Sequence, residues 1–359
     1  MKFGTAYFGN IILKHFQKDM AEVRKQGCSF IVLTFAEVDL MFHQETYKRM
    51  TIEAKKQGLT TLIDPWAVGG IFGGETLSQL PSFHYEERQL RNDGKWAPAL
   101  CLNAPALMNY LKKWVDVVSA FGADYILWDE PHFYLNWMDG YGGWKPNPEA
   151  WSCCCQFCQT KFKKETGKPF PKTHTEEVKE FKRRSTRDFL LTLTRYAASK
   201  GQKNAMTFLP GEKEWFLQDM AQEKSIHVMG GETYFEYDKN RPKAQDVRRY
   251  AMEHTRELKV WSERYKKPLL MWVKGFLVPK GEEQDVVESI RGSVDGGADW
   301  IAMWGFEGMK HVSDKACKDA DKVWKLMGST FRSYKKAPRH KNDSSKVAGL
   351  KKTKVLTKG

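Results

Sequence analysis

The chain has 359 residues, enough for one large core, with 58 Lys or Arg against 44 Asp or Glu and a net charge of +14. No apolar run approaches the roughly 18 residues of a membrane helix, and no charged start followed by an apolar stretch opens the sequence, because Lys14 and His15 interrupt the first apolar run; no membrane partner and a cytoplasmic location are expected. Seven Cys, four of them between Cys153 and Cys158, do not form the spacing of a secreted disulfide framework.

In chain order, apolar, β-branched or aromatic runs occur at 2–8, 29–35, 60–66, 125–130, 204–210, 227–234, 268–276 and 300–306. Continuous apolar runs of this length fit strands buried on both faces. Between them, stretches at 12–25, 45–57, 106–121, 175–199, 214–223, 245–265, 282–295 and 313–327 carry apolar residues three and four apart, the helical period. Eight strand-helix pairs predict an α/β fold, a (β/α)8 TIM barrel over residues 1–332.

Two connections exceed the usual few residues: 67–105 after the third strand and 131–174 after the fourth. Both leave from strand ends, where barrel active sites are built, so they are expected to wall or cover a substrate. The glycine-rich segment at 68–75, VGGIFGGE, lacks the Lys-Ser/Thr of a phosphate loop. Residues 333–359 hold nine Lys or Arg against one acid, Asp343, and so carry +8 of the total charge. A disordered tail with no specific nucleic-acid partner is expected there.

The fourth run reads YILWDEPHF and stops on adjacent carboxylates, Asp129 and Glu130, with Pro131 blocking its continuation. Among Trp128, His132 and Phe133, partial desolvation would raise the pKa of Glu130 toward that of a useful proton donor. A carboxylate that caps the following loop is the alternative. Aromatic faces beside carboxylates suit sugar rings, and a glycosidase generally needs a second carboxylate. Glu232, ending the sixth run beside Tyr234, is the first choice, because strands two apart can face one substrate and Gly230-Gly231 permits close approach. Glu307, beyond Gly305-Phe306, is a candidate for binding a sugar hydroxyl. Glu37, Asp64, Trp66, Trp272 and Trp304 lie near strand ends as further substrate contacts. Lys274 would pair with Glu232 or Glu307, or recognise an acidic substituent. His132 is expected to orient Glu130.

Trp151 begins WSCCCQFCQTKF, and Cys153, Cys155 and Cys158 form a C-x-C-x-x-C set, with Cys101 available from the other long loop. Four thiolates can surround a tetrahedral structural zinc; reduced thiols and a disulfide are the alternatives. No organic cofactor is expected.

Asp129-Glu130 ending the fourth strand, followed by C-x-C-x-x-C and Phe162 and preceded by the lone Cys101, resembles glycoside hydrolase family 42, the β-galactosidases. The resemblance covers Cys101 to about Gly167 and implies Glu130 as acid/base and a structural zinc on Cys101, Cys153, Cys155 and Cys158. The chain departs from that family in having Asp129 where the family has Asn, and Lys274 where a nucleophilic Glu would end the seventh strand. The Asp129, Glu130, Tyr234 set is also similar to hexosaminidases in which the substrate's acetamido group attacks. The expected function is therefore a glycoside hydrolase acting on a carbohydrate. The alternatives are the substrate-assisted form, a non-catalytic carbohydrate-binding barrel, or a metal-dependent lyase or isomerase using Glu37, Asp64, Asp129 and Glu232. Further copies of the chain, as a homo-oligomer, are the remaining expected partner.

Overall fold

Eight parallel strands close into a ring whose order follows the chain. In the computed structural model, which describes residues 1–73, 77–135, 145–235 and 244–336, the ring consists of β1 (Lys2–Tyr7), β2 (Phe30–Thr34), β3 (Thr60–Asp64), β6 (Tyr125–Trp128), β7 (Lys203–Phe208), β8 (Ile226–Glu232), β9 (Leu269–Lys274) and β10 (Trp300–Trp304). Closure comes from β1 pairing with β10, in register from Lys2↔Trp300 to Thr5↔Met303. Each barrel strand is followed by a long helix: α1 (Leu13–Lys25), α3 (Gln44–Lys56), α5 (Pro105–Ser119), α7 (Glu176–Ser199), α8 (Glu214–Gln222), α9 (Ala244–Arg264), α10 (Gln284–Asp295) and α11 (Ala320–Lys336). This is the (β/α)8 barrel expected from the alternating runs.

The connections hold additional elements. A short α2 (Glu37–Phe42) follows β2; α4 (Leu80–Phe83) and an antiparallel hairpin of β4 (Arg88–Leu90) and β5 (Trp96–Leu100) fill the third connection; α6 (Gln156–Thr166) fills part of the fourth. The eighth helix starts at Ala320 rather than 313 and runs to Lys336, four residues past the expected barrel end at 332. Its apolar face explains the extension, because Tyr334, beyond 332, packs on Phe3 of β1 with ring centroids 6.3 Å apart. Of the basic tail, residues 337–359 lie outside the described residues. Among the described residues, no helix is long and apolar enough to cross a membrane.

Side chains alternate in and out along each strand. The inward set contains Phe30, Val32, Leu62, Leu127, Ala205, Val228, Leu270, Trp272, Ala302 and Trp304, which pack into one buried cluster. Gly4 is required at the base of this interior, since a Cβ there would lie 2.4 Å from the Phe30 ring. The same alternation, continued to the strand ends, carries Asp64, Asp129, Glu232 and Lys274 onto the inward face at the C-terminal rim. The barrel therefore has an apolar body and a charged mouth.

Candidate active site

Three acids converge at that mouth. Oxygens of Asp129, Glu130 and Glu232 lie within 4.8 Å of one another, although Glu232 is on a strand two positions away around the ring. Asp129 and Glu232 are 6% and 4% exposed, and Glu130 is half-buried. Glu130 has φ of +39°, a backbone conformation costly for a residue with a side chain. The bend at Glu130 ends β6 and turns the chain into Pro131. One carboxylate oxygen of Glu232, Oε1, is buried with no hydrogen-bond partner among the described residues. Such an orphan acceptor is uncommon and calls for a functional explanation.

The third connection closes one side of the cluster. Gly73 donates its amide to the Asp129 carbonyl at 3.1 Å, and His132 donates its amide to Ile71 at 2.8 Å. A Cβ on Gly73 would lie 2.8 Å from Asp129 Oδ2 and 3.4 Å from the Glu130 carboxyl, so only glycine lets this loop lie against both acids. Gly74 and Glu75 of the same segment lie outside the described residues.

Lys274 ends β9, is 5% exposed, and donates to the Phe235 carbonyl at 2.9 Å, with its ammonium 5.0 Å from the Phe276 ring centre. Asp64 ends β3 fully buried. Phe8 lies stacked between Trp66 and Trp304, at centroid distances of 5.1 and 5.6 Å, and gives the mouth an aromatic wall. Tyr234 is half-buried and meets Phe276 edge to face at 5.3 Å.

Several expected substrate contacts have structural partners instead. Glu37 accepts from the amides of Gly69, Gln79 and Leu80 at 2.9, 2.6 and 3.0 Å and from the Ser78 hydroxyl at 2.5 Å. With both oxygens engaged, it ties α2 to the third connection. Trp272 is buried in the barrel, donates its Nε1 to Thr207 Oγ1 at 3.1 Å and meets Trp304 edge to face at 5.5 Å. Trp304 is 4% exposed and belongs to the same interior. Glu307 ion-pairs with Lys310 at 2.8 Å and is hydrogen-bonded to His311 Nε2 at 3.2 Å. His132 directs Nδ1 to the Phe133 carbonyl at 2.9 Å rather than to Glu130; a carbonyl only accepts, so that nitrogen carries the hydrogen, and burial pushes the imidazole pKa down and keeps it neutral. The close approach at Gly230-Gly231 serves packing, because a Cβ on Gly231 would lie 2.2 Å from Leu258 Cδ1 of α9.

Four cysteines come together in the fold. The sulfurs of Cys101, Cys153, Cys155 and Cys158 lie within 4.8 Å of one another, all buried, with Cys101 and Cys158 3.5 Å apart. Asn103 directs its amide toward Cys101 Sγ at 3.4 Å and its Nδ2 toward Cys158 Sγ at 3.2 Å. Cys154 is outside the set and donates its amide to the Leu90 carbonyl at 2.7 Å. The cluster thus sits where the end of the hairpin meets the start of α6, between the two long connections.

No protein-family model and no curated protein matches the chain. Among solved structures, it is similar to a β-galactosidase from Bacillus circulans sp. alkalophilus, with a TM-score of 0.61 and 12% identity over 93% of this chain and 56% of that one. It is also similar to a GH5_18 variant from Bifidobacterium longum in complex with Manβ1-4GlcNAc, with a TM-score of 0.56 and 12% identity over 94% of this chain and 79% of that one. The endo-β-1,4-mannanase of Thermotoga petrophila gives a TM-score of 0.53 at 8% identity, over 95% of this chain and 78% of that one. These likenesses establish the fold. The chain spans little more than half the length of the β-galactosidase.

Proposed function

We propose that the protein is a retaining glycoside hydrolase, with Glu130 as general acid/base and Glu232 as nucleophile. The observation that carries this reading is the approach of Glu130 and Glu232 to within 4.8 Å. Retaining enzymes hold their two carboxyl groups about 5–5.5 Å apart, whereas inverting enzymes leave about 6.5–9.5 Å for a water. The buried Glu232 Oε1 without a partner supports the assignment, because a nucleophile needs a lone pair that no protein donor occupies.

In the first step the Glu130 carboxyl gives its proton to the bridging oxygen while a Glu232 oxygen bonds to the anomeric carbon, and the sugar-oxygen bond breaks. In the second, the Glu130 carboxylate takes a proton from water, the water oxygen bonds to the anomeric carbon, and Glu232 leaves as the carboxylate. Asp129 adds a third acid to the cluster. The Phe8–Trp66 wall offers an apolar face to a sugar. Likeness to barrels named as galactosidase and mannanase supports a carbohydrate substrate.

The four buried thiols fit a structural zinc, for which we propose Cys101, Cys153, Cys155 and Cys158 as ligands. A tetrahedron with Zn–S bonds of about 2.3 Å has sulfur separations of about 3.8 Å, and the sulfurs are already clustered on that scale. The metal would supply a crosslink between the long connections.

A second reading draws on the same cluster: Asp129, Glu130 and Glu232 are a hard-oxygen donor set for a divalent cation, as in a lyase or isomerase. One experiment separates the two. Aryl α- and β-glycosides of glucose, galactose, mannose and N-acetylglucosamine are assayed with wild type, Glu130→Gln and Glu232→Gln, with and without chelator. Hydrolysis that survives chelation and falls at least about 100-fold in each variant supports the glycosidase; unchanged turnover in either variant removes that residue from the mechanism.

A further inference from the structure

A cavity of about 270 Å³ opens where the chain leaves Glu130, lined by none of the three carboxylates, and the proposed mechanism does not use it. Its walls come from Pro131, His132 and Phe133, which directly follow Glu130, from Leu209 just beyond β7, and from the first half of α7. Because β6 and β7 are neighbours in the ring, the cavity lies on the same rim as Glu130. Lys179, Lys182 and Arg183 line it, against Glu212 as the one lining acid among the described residues.

The three cations are not equivalent. Lys179 is held by Glu176 at 2.6 Å, and Arg183 by Glu180 at 2.8 Å with Glu212 at 3.9 Å. Lys182 has no carboxylate within ion-pair distance among the described residues, and its ammonium lies 5.3 Å from the Phe133 ring centre. His174, stacked on Trp151 at 4.8 Å, has its pKa pushed down to about 4 by burial and by Lys182 and Lys179, and so adds a neutral donor near pH 7. Two ion-paired cations therefore flank a third that retains its donors, over a floor of Phe133 and Phe216.

We propose that this cavity is a subsite for an anionic substituent on the sugar substrate, a carboxylate, sulfate or phosphate ester, with Lys182 as the principal contact. This rests on the carbohydrate reading of the carboxylate cluster. Lys182 also lies within electrostatic reach of Cys153, Cys154 and Cys158, so the test must separate anion binding from support of the thiol cluster.

The experiment is calorimetric titration of glucuronate, glucose 6-sulfate, glucose 6-phosphate and glucose into wild type, Lys182→Met and Lys182→Arg, with zinc content measured for each protein. Binding is read without turnover, so failure of the hydrolase assignment and failure of the subsite give different results. At least one anionic sugar is expected to bind more tightly than glucose. Lys182→Met should weaken that binding at least about tenfold at unchanged zinc content, and Lys182→Arg should preserve the preference. Equal affinity for charged and neutral sugars, unchanged binding in Lys182→Met, or a loss of binding that accompanies loss of zinc would overturn the proposal. Which of the three anions binds most tightly identifies the substituent.

Discussion

Replacing Gly73 with Ala tests whether the third connection positions the acids. The added Cβ would lie 2.8 Å from Asp129 Oδ2, where ordinary contact begins at 3.4 Å, so the carboxylate or the loop must move by the difference, about 0.6 Å. The loop cannot simply retreat, since the Gly73 amide is bonded to the Asp129 carbonyl at 3.1 Å and the Gly73 carbonyl accepts from Ala67 at 3.1 Å. Asp129 is short and buried, and Glu130 lies immediately beyond it, 3.4 Å from the same added carbon. A misplacement near 1 Å costs on the order of 100-fold in rate, so kcat/KM should fall by about 10- to 100-fold. Overpacking of one methyl costs about 1–3 kcal/mol, so the variant should still fold. The assay is turnover of the best glycoside from the panel, together with thermal unfolding of both proteins. A Gly73→Ala protein that unfolds like wild type and retains activity within twofold would refute the positioning role.

Three further outcomes are expected. Glu37→Gln should lower Tm, with a loss of about 2 kcal/mol, because an amide nitrogen replaces one of two oxygens that accept from four donors; denaturant unfolding measures it. Cys158→Ser should leave less than about 0.2 zinc per chain by elemental analysis, given how tightly structural zinc binds, and should loosen the hairpin to proteolysis. The hydrogen bond and charge of Lys322 hold the Glu283 pKa down to about 2, so this pair contributes stability above the ordinary glutamate pKa near 4.5 and loses it as pH falls toward 2. Lys322→Met should flatten the decline in stability over that window; equal acid titration curves for the two proteins would contradict it.

The barrel was legible because parallel strands buried on both faces read as unbroken apolar runs, and all eight fall within two residues of their expected starts. Elements inside the long connections were harder to see. The β4–β5 hairpin alternates weakly, yet its turn carries Asp93-Gly94, with Gly94 at φ +78°, a hairpin signal that could have located it. The α6 helix ends at Gly167 in the left-handed conformation, an equally readable stop. At the mouth, the sequence picks out Asp129, Glu130 and Glu232, which the fold gathers, because each ends an apolar run. Glu37 shows why strand-end position alone misleads: which donors surround an acid depends on the path of a distant loop, here 69–80. The same limit hid Gly73 and Lys182, whose significance comes from a loop and a helix that meet the β6 end only in three dimensions.

Glu232 as the nucleophile is tested most directly by identifying the residue labelled by activated 2-deoxy-2-fluoro glycosides, by peptide mass mapping. A covalent sugar is expected on Glu232, absent from Glu232→Gln. A label on any other residue, or hydrolysis of the parent glycosides with inversion at the anomeric carbon, would contradict it.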